Sequence, residues 1–568
     1  MNYDYIIVGA GSAGCILAER LSASGRHSVL LLEAGGSDDS FWFKIPIGFA
    51  KLYYNNQYNW MYYSEPEPEL AGRRIYAPRG KVQGGSGSIN AMIYVRGAQR
   101  DYDDWAAAGN PGWSYEDVLP YFRKLESHPL GDTKWHGAHG PVRITPMKDG
   151  AHPICRTFVE GCAQLGYERN EDFNGARLEG VGIYDVNTRD GQRASSSFAY
   201  LHRAGPRPNL KIEHHARAMR VLFDGDDDAR ADPRTGQPRA TGVEIVQQGV
   251  KRTFHANREV IVAAGAVDSP KLLQLSGVGP RALLAKHGID VVHELPAVGQ
   301  NLQDHLCVSF YYRSRVKTLN DSFSSWASKL KFGLQYLLKR TGPFSMSVNQ
   351  SGGFFRTGMD EAHPNMQVYF NPLSYRIPKS NRAQLTPEPY SGFLVCFNPC
   401  RPTSRGSIEI ASANVEDAPK IYGNYLSTQK DRDEAIAGSH LVRKLMTARA
   451  LQEVTVEEVT PAGEVTDDAS MLRFFREQSG SIYHLCGTCA MGPDPRTAVV
   501  DARLRVHGIA ALRVVDASIF PNITSGNTNA PTMMVAEKGA QMILEDAEHE
   551  IAACSLASPV QQATAISS

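Results

Sequence analysis

The sequence predicts an α/β fold wound about a parallel sheet, and three observations predict it. The β-branched run Tyr5-Ile6-Ile7-Val8 leads directly into Gly9-Ala10-Gly11-Ser12-Ala13-Gly14. Residues 15–21 then carry apolar side chains at helical spacing, and residues 28–32 form a second strand that ends on Glu33. Further on, Val260-Ile261-Val262-Ala263-Ala264-Gly265 is another strand-to-glycine junction, and Arg513-Val514-Val515-Asp516 returns to the same lobe. Strand, glycine turn, helix, strand and acid form the opening of a doubly wound dinucleotide-binding sheet.

Each part of that opening has a physical reason. Gly9, Gly11 and Gly14 let the chain turn sharply, let a pyrophosphate approach the backbone and let helix pack on strand. The phosphate would sit on the helix N-terminus, where free N–H groups and the dipole favour negative charge. Glu33 falls where a carboxylate accepts from ribose hydroxyls. The motif alone does not separate NAD from FAD.

A second glycine-rich loop follows at residues 80–88. The polar stretch at residues 224–238 lies between Val221-Leu222-Phe223 and Val243-Glu244-Ile245-Val246 and reads as a long hairpin tip. From about residue 306 to 474 the chain changes character, with many aromatics and segments such as Met366-Gln367-Val368-Tyr369-Phe370. This is expected to be a second lobe on an antiparallel sheet. Residues 532–546 read as a closing helix and residues 551–568 as a loose tail.

At 568 residues the chain is too long for one ordinary core. Its 60 Lys and Arg balance 60 Asp and Glu, so no global field would hold nucleic acid, and none is expected as a partner. No run approaches the ~18 apolar residues of a spanning helix. A fingerprint starting at Gly9 leaves no room upstream for a secretory leader, and nine scattered cysteines do not suggest a disulfide framework. The expected location is the cytoplasm, with peripheral contact to the inner membrane face left open.

Longer motifs narrow the chemistry. Gly80-Lys81-Val82-Gln83-Gly84-Gly85-Ser86-Gly87-Ser88-Ile89-Asn90 resembles the first signature of the glucose–methanol–choline oxidoreductase family. The run from Gly265-Ala266-Val267-Asp268-Ser269-Pro270 to Gly279 resembles its second signature. Val298-Gly299-Gln300-Asn301-Leu302-Gln303-Asp304-His305, Ser404-Arg405-Gly406, His484-Leu485-Cys486-Gly487-Thr488-Cys489-Ala490-Met491-Gly492, Val514-Val515-Asp516-Ala517-Ser518 and Gly526-Asn527-Thr528-Asn529-Ala530-Pro531-Thr532 follow in family order. The resemblance spans residues 4–545 and is strongest to bacterial choline dehydrogenases and related FAD-dependent alcohol dehydrogenases.

The resemblance implies a discontinuous Rossmann-like FAD-binding domain (residues 1–155, 190–305 and 475–545) with an inserted α+β substrate domain (156–189 and 306–474) on an antiparallel sheet, and a tail at 546–568. It implies FAD contacts from Gly9, Gly11, Ser12, Ala13, Gly14, Glu33, Ala34, Val82, Gly85, Ser86, Asn90, Ala91, Met92 and Ile93. Ala218, Ala264, Gly265, Asp516, Ala517, Asn527 and Thr528 complete that set. Some family members carry a histidine before the asparagine that bonds covalently to FAD. Ile89 stands there in this chain, so FAD is expected to be held without a covalent bond. Gln83 departs from the usual aliphatic residue.

The implied reaction is oxidation of a primary alcohol to the aldehyde, with hydride passing to flavin N5 and reoxidation by oxygen or a quinone-type acceptor. His484 matches the family's catalytic histidine, and Asn529 is taken as its partner. The pair suits the chemistry. An alcohol is about as weak an acid as water, pKa ~15.7, against ~6.5 for histidine. That gap is ~12 kcal/mol, whereas a turnover of ~10 per second allows a total barrier of about 16. The developing oxyanion must therefore be stabilised, or proton and hydride must leave nearly together. A flavin-containing hydroxynitrile lyase and an NAD-dependent dehydrogenase are the rival readings. Choline would require an aromatic and carboxylate cage, which Tyr369 and Phe370 could help to supply.

Other features receive plainer readings. Cys486 and Cys489 form a CxxC that reads as two small packing residues. His214, His215 and His305 have no partner at metal-ligand spacing, so no metal is expected. Phe323, Trp326, Leu330, Leu334, Leu337 and Leu338 recur at helical spacing beside Lys329, Lys331, Lys339 and Arg340. That stripe reads first as the buried face of a surface helix, with contact to an anionic membrane as the alternative.

Overall fold

The computed structural model describes residues 2–224, 236–358, 361–376 and 386–556. The opening strand, Asn2–Val8, lies inside a seven-stranded sheet. Its last four side chains, from Tyr5 to Val8, are buried, as expected of a strand covered on both faces. Val29–Leu32 pairs with it on one side and Val250–Val262 on the other, both parallel. Leu210–Glu213 and Leu512–Val514 extend the parallel part.

The sheet is not parallel throughout. Val250–Val262 is longer than the apolar run at 260–262 suggested, because its first half pairs antiparallel with Ala240–Gln247, which pairs in turn with Arg217–Phe223. Those last two strands flank the expected hairpin tip, of which residues 225–235 lie outside the described residues.

A second seven-stranded sheet is antiparallel throughout. Its order is Thr455–Thr460, Leu306–Ser314, Gly392–Pro399, Met366–Asn371, Ser351–Phe355 and Gly180–Ile183. Gly480–Ser481 also pairs with Leu306 and Cys307. The chain therefore leaves the second sheet just before His484 and re-enters the first at Leu512. The fold is mixed α/β, with one mixed sheet and one antiparallel sheet.

Two expectations need correction. The closing helix runs Asn529–Leu556, about ten residues past the expected end, so residues 551–556 belong to it rather than to a loose tail. The cause is local: Ala552 and Ala553 are strong helix formers, no Gly or Pro intervenes before Pro559, and Asp546 pairs with Arg503 and Arg513. Second, the apolar stripe is not a buried face. Trp326–Lys339 is a helix, but its buried residue is Tyr336, while Trp326, Leu330, Leu334, Leu337 and Leu338 face solvent. Periodicity shows that a helix has an apolar face and cannot show which face meets the core. Among the described residues no helix is long and apolar enough to cross a membrane.

Candidate active site

The two glycine loops pack against each other at van der Waals limits. A Cβ on Gly14 would lie 1.8 Å from the Gly9 carbonyl oxygen, and one on Gly85 would lie 2.7 Å from the Gly11 Cα. Gly9 and Gly85 also hold φ at +101° and +54°, where a side chain is strained. The backbone between them opens on a cavity of about 1300 Å³. That exceeds the ~300–1,000 Å³ of an ordinary small-molecule site, and suits a dinucleotide with a substrate at one end.

All but two of the residues singled out for FAD line this cavity; Gly14 and Val82 stand behind its wall. Val82 is buried with Phe43, Leu52 and Ile89. Glu33 is buried, and its two oxygens accept from Ala10 N–H (3.0 Å) and Gly35 N–H (2.8 Å). Burial pushes its carboxyl up, and those two amides oppose the shift. Glu33 therefore braces the phosphate loop as well as facing the cavity. Asp516 does similar work at the other junction, accepting from Gly265 N–H (2.8 Å), Ser269 Oγ (2.6 Å) and Ser518 N–H (2.7 Å).

Asn90 is oriented by its neighbours. Its Oδ1 accepts from Met92 N–H (3.0 Å) and from Arg193 Nη1 (2.7 Å). The side-chain oxygen is thus occupied, and the amide N–H group remains to donate into the cavity. Donors at that point fit a reduced flavin, which carries excess negative charge, so the residues present fit FAD. Arg193 is buried, and desolvation lowers its pKa to about 10. The unusual Gln83 is accommodated by polar partners: its amide donates to Ser197 Oγ (2.7 Å), and its Oε1 lies 2.8 Å from His214 Nε2.

His484 also lines the cavity. Tyr483 holds φ at 72°, a strained region for a non-glycine residue. Its N–H donates to Ser481 Oγ (2.7 Å) and its carbonyl accepts from Arg79 Nη2 (2.6 Å). The His484 N–H donates to Asp304 Oδ1 (2.8 Å), and Asp304 Oδ2 accepts from Tyr425 (2.7 Å).

The side chain of His484 belongs to a chain of hydrogen bonds. Its Nδ1 lies 2.9 Å from Nδ1 of His305, whose Nε2 lies 2.8 Å from the Cys400 carbonyl oxygen. A carbonyl only accepts, so His305 carries its proton on Nε2. Burial holds the pKa of His305 down to about 4, so its Nδ1 is an unprotonated acceptor. His484 must then donate from Nδ1, which leaves the lone pair on Nε2. Burial, then His305, then Arg79 hold His484 well below the usual histidine range. The result is a neutral base of fixed tautomer.

Here the sequence expectation needs one correction and one addition. The amide facing His484 is Asn527, whose Nδ2 is 3.1 Å from Nε2 and whose Oδ1 accepts weakly from Gln367 (3.5 Å). Asn529 instead accepts from Ser12 Oγ (2.8 Å) and begins the last helix beside the phosphate loop. The two asparagines are two residues apart, and only the path of the chain decides which one turns toward the histidine. His305, set aside for want of a metal-ligand partner, has a histidine partner instead. Its one signal was its place after Asp304 in the family motif.

The end of the cavity near His484 is ring-rich, with Tyr53, Tyr311, Tyr369, Tyr375 and Tyr483; Phe370, named with Tyr369, is buried in the sheet and does not line it. Glu388 is also on its wall. Cys486 and Cys489 are free and buried, as are Cys15, Cys155, Cys162, Cys307, Cys396 and Cys400.

The chain is similar to known proteins over nearly its whole length. A family model described as GMC oxidoreductase matches residues 3–307, and a second of the same description matches 402–536. An oxygen-dependent choline dehydrogenase of Vibrio vulnificus is 42% identical over 545 residues, covering 96% of this chain and 94% of its own. A pyridoxine 4-oxidase structure from Mesorbium loti superposes with a TM-score of 0.84 at 32% identity, covering 95% of this chain and 99% of that one. A formate oxidase variant of Aspergillus oryzae RIB40, studied for FAD modification, gives 0.87 at 25% identity, with 97% and 99% covered. None of these relatives supports the lyase reading.

Proposed function

The chain belongs to the GMC oxidoreductase family and is an FAD-dependent oxidoreductase of CH–OH donors, and on that premise we propose that it oxidises a primary alcohol to the aldehyde with His484 as base. The observation that carries this reading is the chain Cys400–His305–His484–Asn527, which ends in the cavity. FAD, when bound, supplies the acceptor of the hydride.

The protein's own groups do the rest. An alcohol O–H entering between His484 and Asn527 takes the place of the Asn527 amide as donor to the unprotonated Nε2, while the displaced amide donates to the alcohol oxygen. That second bond stabilises negative charge as it develops on oxygen. The proton ends on His484 Nε2, and His305 still accepts from Nδ1. Because His484 is held below its ordinary pKa, the cost of a free alkoxide exceeds ~12 kcal/mol. This couples departure of the proton to departure of the hydride. Gly9, Gly11, Ser12 and Glu33 are assigned to the ADP half of FAD, and Asn90, Ala91, Met92 and Ile93 to its ring.

Choline is the second reading. The tyrosines and Glu388 share the cavity with His484, and rings with a carboxylate suit a quaternary ammonium. Choline, benzyl alcohol, furfuryl alcohol and medium-chain alkanols, mixed anaerobically with the yellow protein, separate the readings. The flavin should bleach with at least one of them and yield one aldehyde per flavin. Oxygen and an artificial dye then compete as reoxidant. Cleavage of a cyanohydrin with no bleaching by any alcohol would reject the proposal.

Ile89 makes a separate prediction. It lines the cavity and packs against Phe43, Leu52 and Val82, with no nucleophilic atom to offer. Acid precipitation should therefore release all the yellow colour into the supernatant. Colour retained in the pellet would show a covalent link through another residue.

A further inference from the structure

The helix Trp326–Lys339 is built the wrong way round for a surface helix. Trp326 is 77% exposed and Leu338 80%, and Leu330, Leu334 and Leu337 beside them are also exposed. The opposite face holds Tyr336, which is buried, and Phe332, which is half-buried. Phe41 and Trp42, from the short helix Phe41–Lys44, add two more exposed rings, and Phe41 meets Tyr336 edge-on at 6.4 Å. A single exposed leucine means little, whereas five large apolar side chains exposed along one face of one helix mark a contact surface.

Charge identifies what the patch contacts. From Ser325 to Arg340 there are four cations, Lys329, Lys331, Lys339 and Arg340, and no acid. At 100° per residue, Lys331 borders the apolar stripe on one side, and Lys329 borders it on the other. Lys51 adds a fifth cation, stacked over Trp42 at 4.9 Å. A protein partner would need an acidic rim around an apolar groove. An anionic bilayer supplies both features at once, with acyl chains for the leucines, headgroups for the lysines and the interface for the tryptophans.

We propose that this face docks the protein flat on an anionic lipid bilayer. The site lies close to the reaction chamber. Phe323, from the preceding helix Leu319–Ser324, packs in one cluster with Phe49 and Val348, and both of those also line the cavity. Docking therefore brings the ring-rich end of the cavity near the bilayer, where an apolar alcohol or a membrane-borne electron acceptor is concentrated.

Flotation of the holoprotein with vesicles tests this. It should float with vesicles containing phosphatidylglycerol at low ionic strength, release as salt rises, and stay down with pure phosphatidylcholine. Combining Lys329→Glu, Lys331→Glu and Lys339→Glu should weaken partitioning by at least about 100-fold, since each cation near such a surface contributes roughly fivefold. Combining Leu330→Ser, Leu334→Ser and Leu337→Ser should weaken it at least about tenfold. All six side chains are exposed, so both variants should keep wild-type melting and wild-type bleaching by a soluble alcohol. Failure of the wild type to float, or undiminished flotation of both variants, would overturn the proposal. So would a wild-type dimer that the leucine variant converts to monomer, because a second copy would then cover the face.

Discussion

Replacing His484 by alanine is expected to slow anaerobic bleaching of the flavin by alcohol by roughly 10²–10⁴-fold, the usual contribution of a general base. The protein should still fold and stay yellow. The Asp304 bond is made by the backbone N–H of residue 484 and survives the change, while the loss leaves His305 Nδ1 without a donor, at about 1–3 kcal/mol. Asn527→Ala should slow the same step by roughly 10²–10³-fold, as for one oxyanion donor. Both side chains would hold one alcohol oxygen, so the double variant should be less damaged than the product of the singles. Asn529→Ala is the contrasting control. Its partner is Ser12 in the phosphate loop, so it should weaken FAD retention and leave bleaching of fully loaded protein within about tenfold of wild type. Stopped-flow absorbance reads all four variants. Near-normal bleaching in His484→Ala would remove it as the base, and a larger loss in Asn529→Ala than in Asn527→Ala would reverse the assignment of the two amides.

What was legible in the sequence depended on how local the cause was. The phosphate turn is decided within six residues, because a Cβ on Gly14 would meet the Gly9 carbonyl at 1.8 Å whatever the rest of the chain does. Glu33 follows one strand later and was equally readable. Its second task, accepting the Ala10 and Gly35 amides, depends on how the loop closes on it. The choice between Asn527 and Asn529 is set by where the last helix begins, and that depends on the 80–88 loop approaching Ser12 and Asn529 closely enough to require Gly87. No short-range pattern encodes it. The exposed helix fails for a related reason: its period is plain in the sequence, yet the anchor that selects the buried face is Tyr336 rather than the leucines.

His305 shows what a motif conceals, and it is the residue whose replacement tests the site most severely. His305→Phe keeps the ring volume and removes the Nδ1 acceptor. His484 is then free to carry its proton on either nitrogen, and the tautomer with Nε2 protonated cannot accept from an alcohol. A wrong tautomer in the catalytic triad of a serine protease costs about 10⁴-fold. With the correct tautomer still accessible part of the time, the expected loss in bleaching rate is about 10²–10⁴-fold at neutral pH. A second readout separates positioning from mere damage. The base works only when neutral, so the bleaching rate should rise with pH through the apparent pKa of the histidine pair and stay flat above it. In the wild type that rise lies well below the usual histidine range, because burial, His305 and Arg79 all lower His484. Removing His305 withdraws one of those causes, so the rise should move to higher pH in His305→Phe. His305→Asn, which restores an acceptor oxygen, should recover part of the rate. Equal losses in His305→Phe and His305→Asn with an unmoved pH profile would show that His305 only fills space and that the tautomer of His484 is set elsewhere.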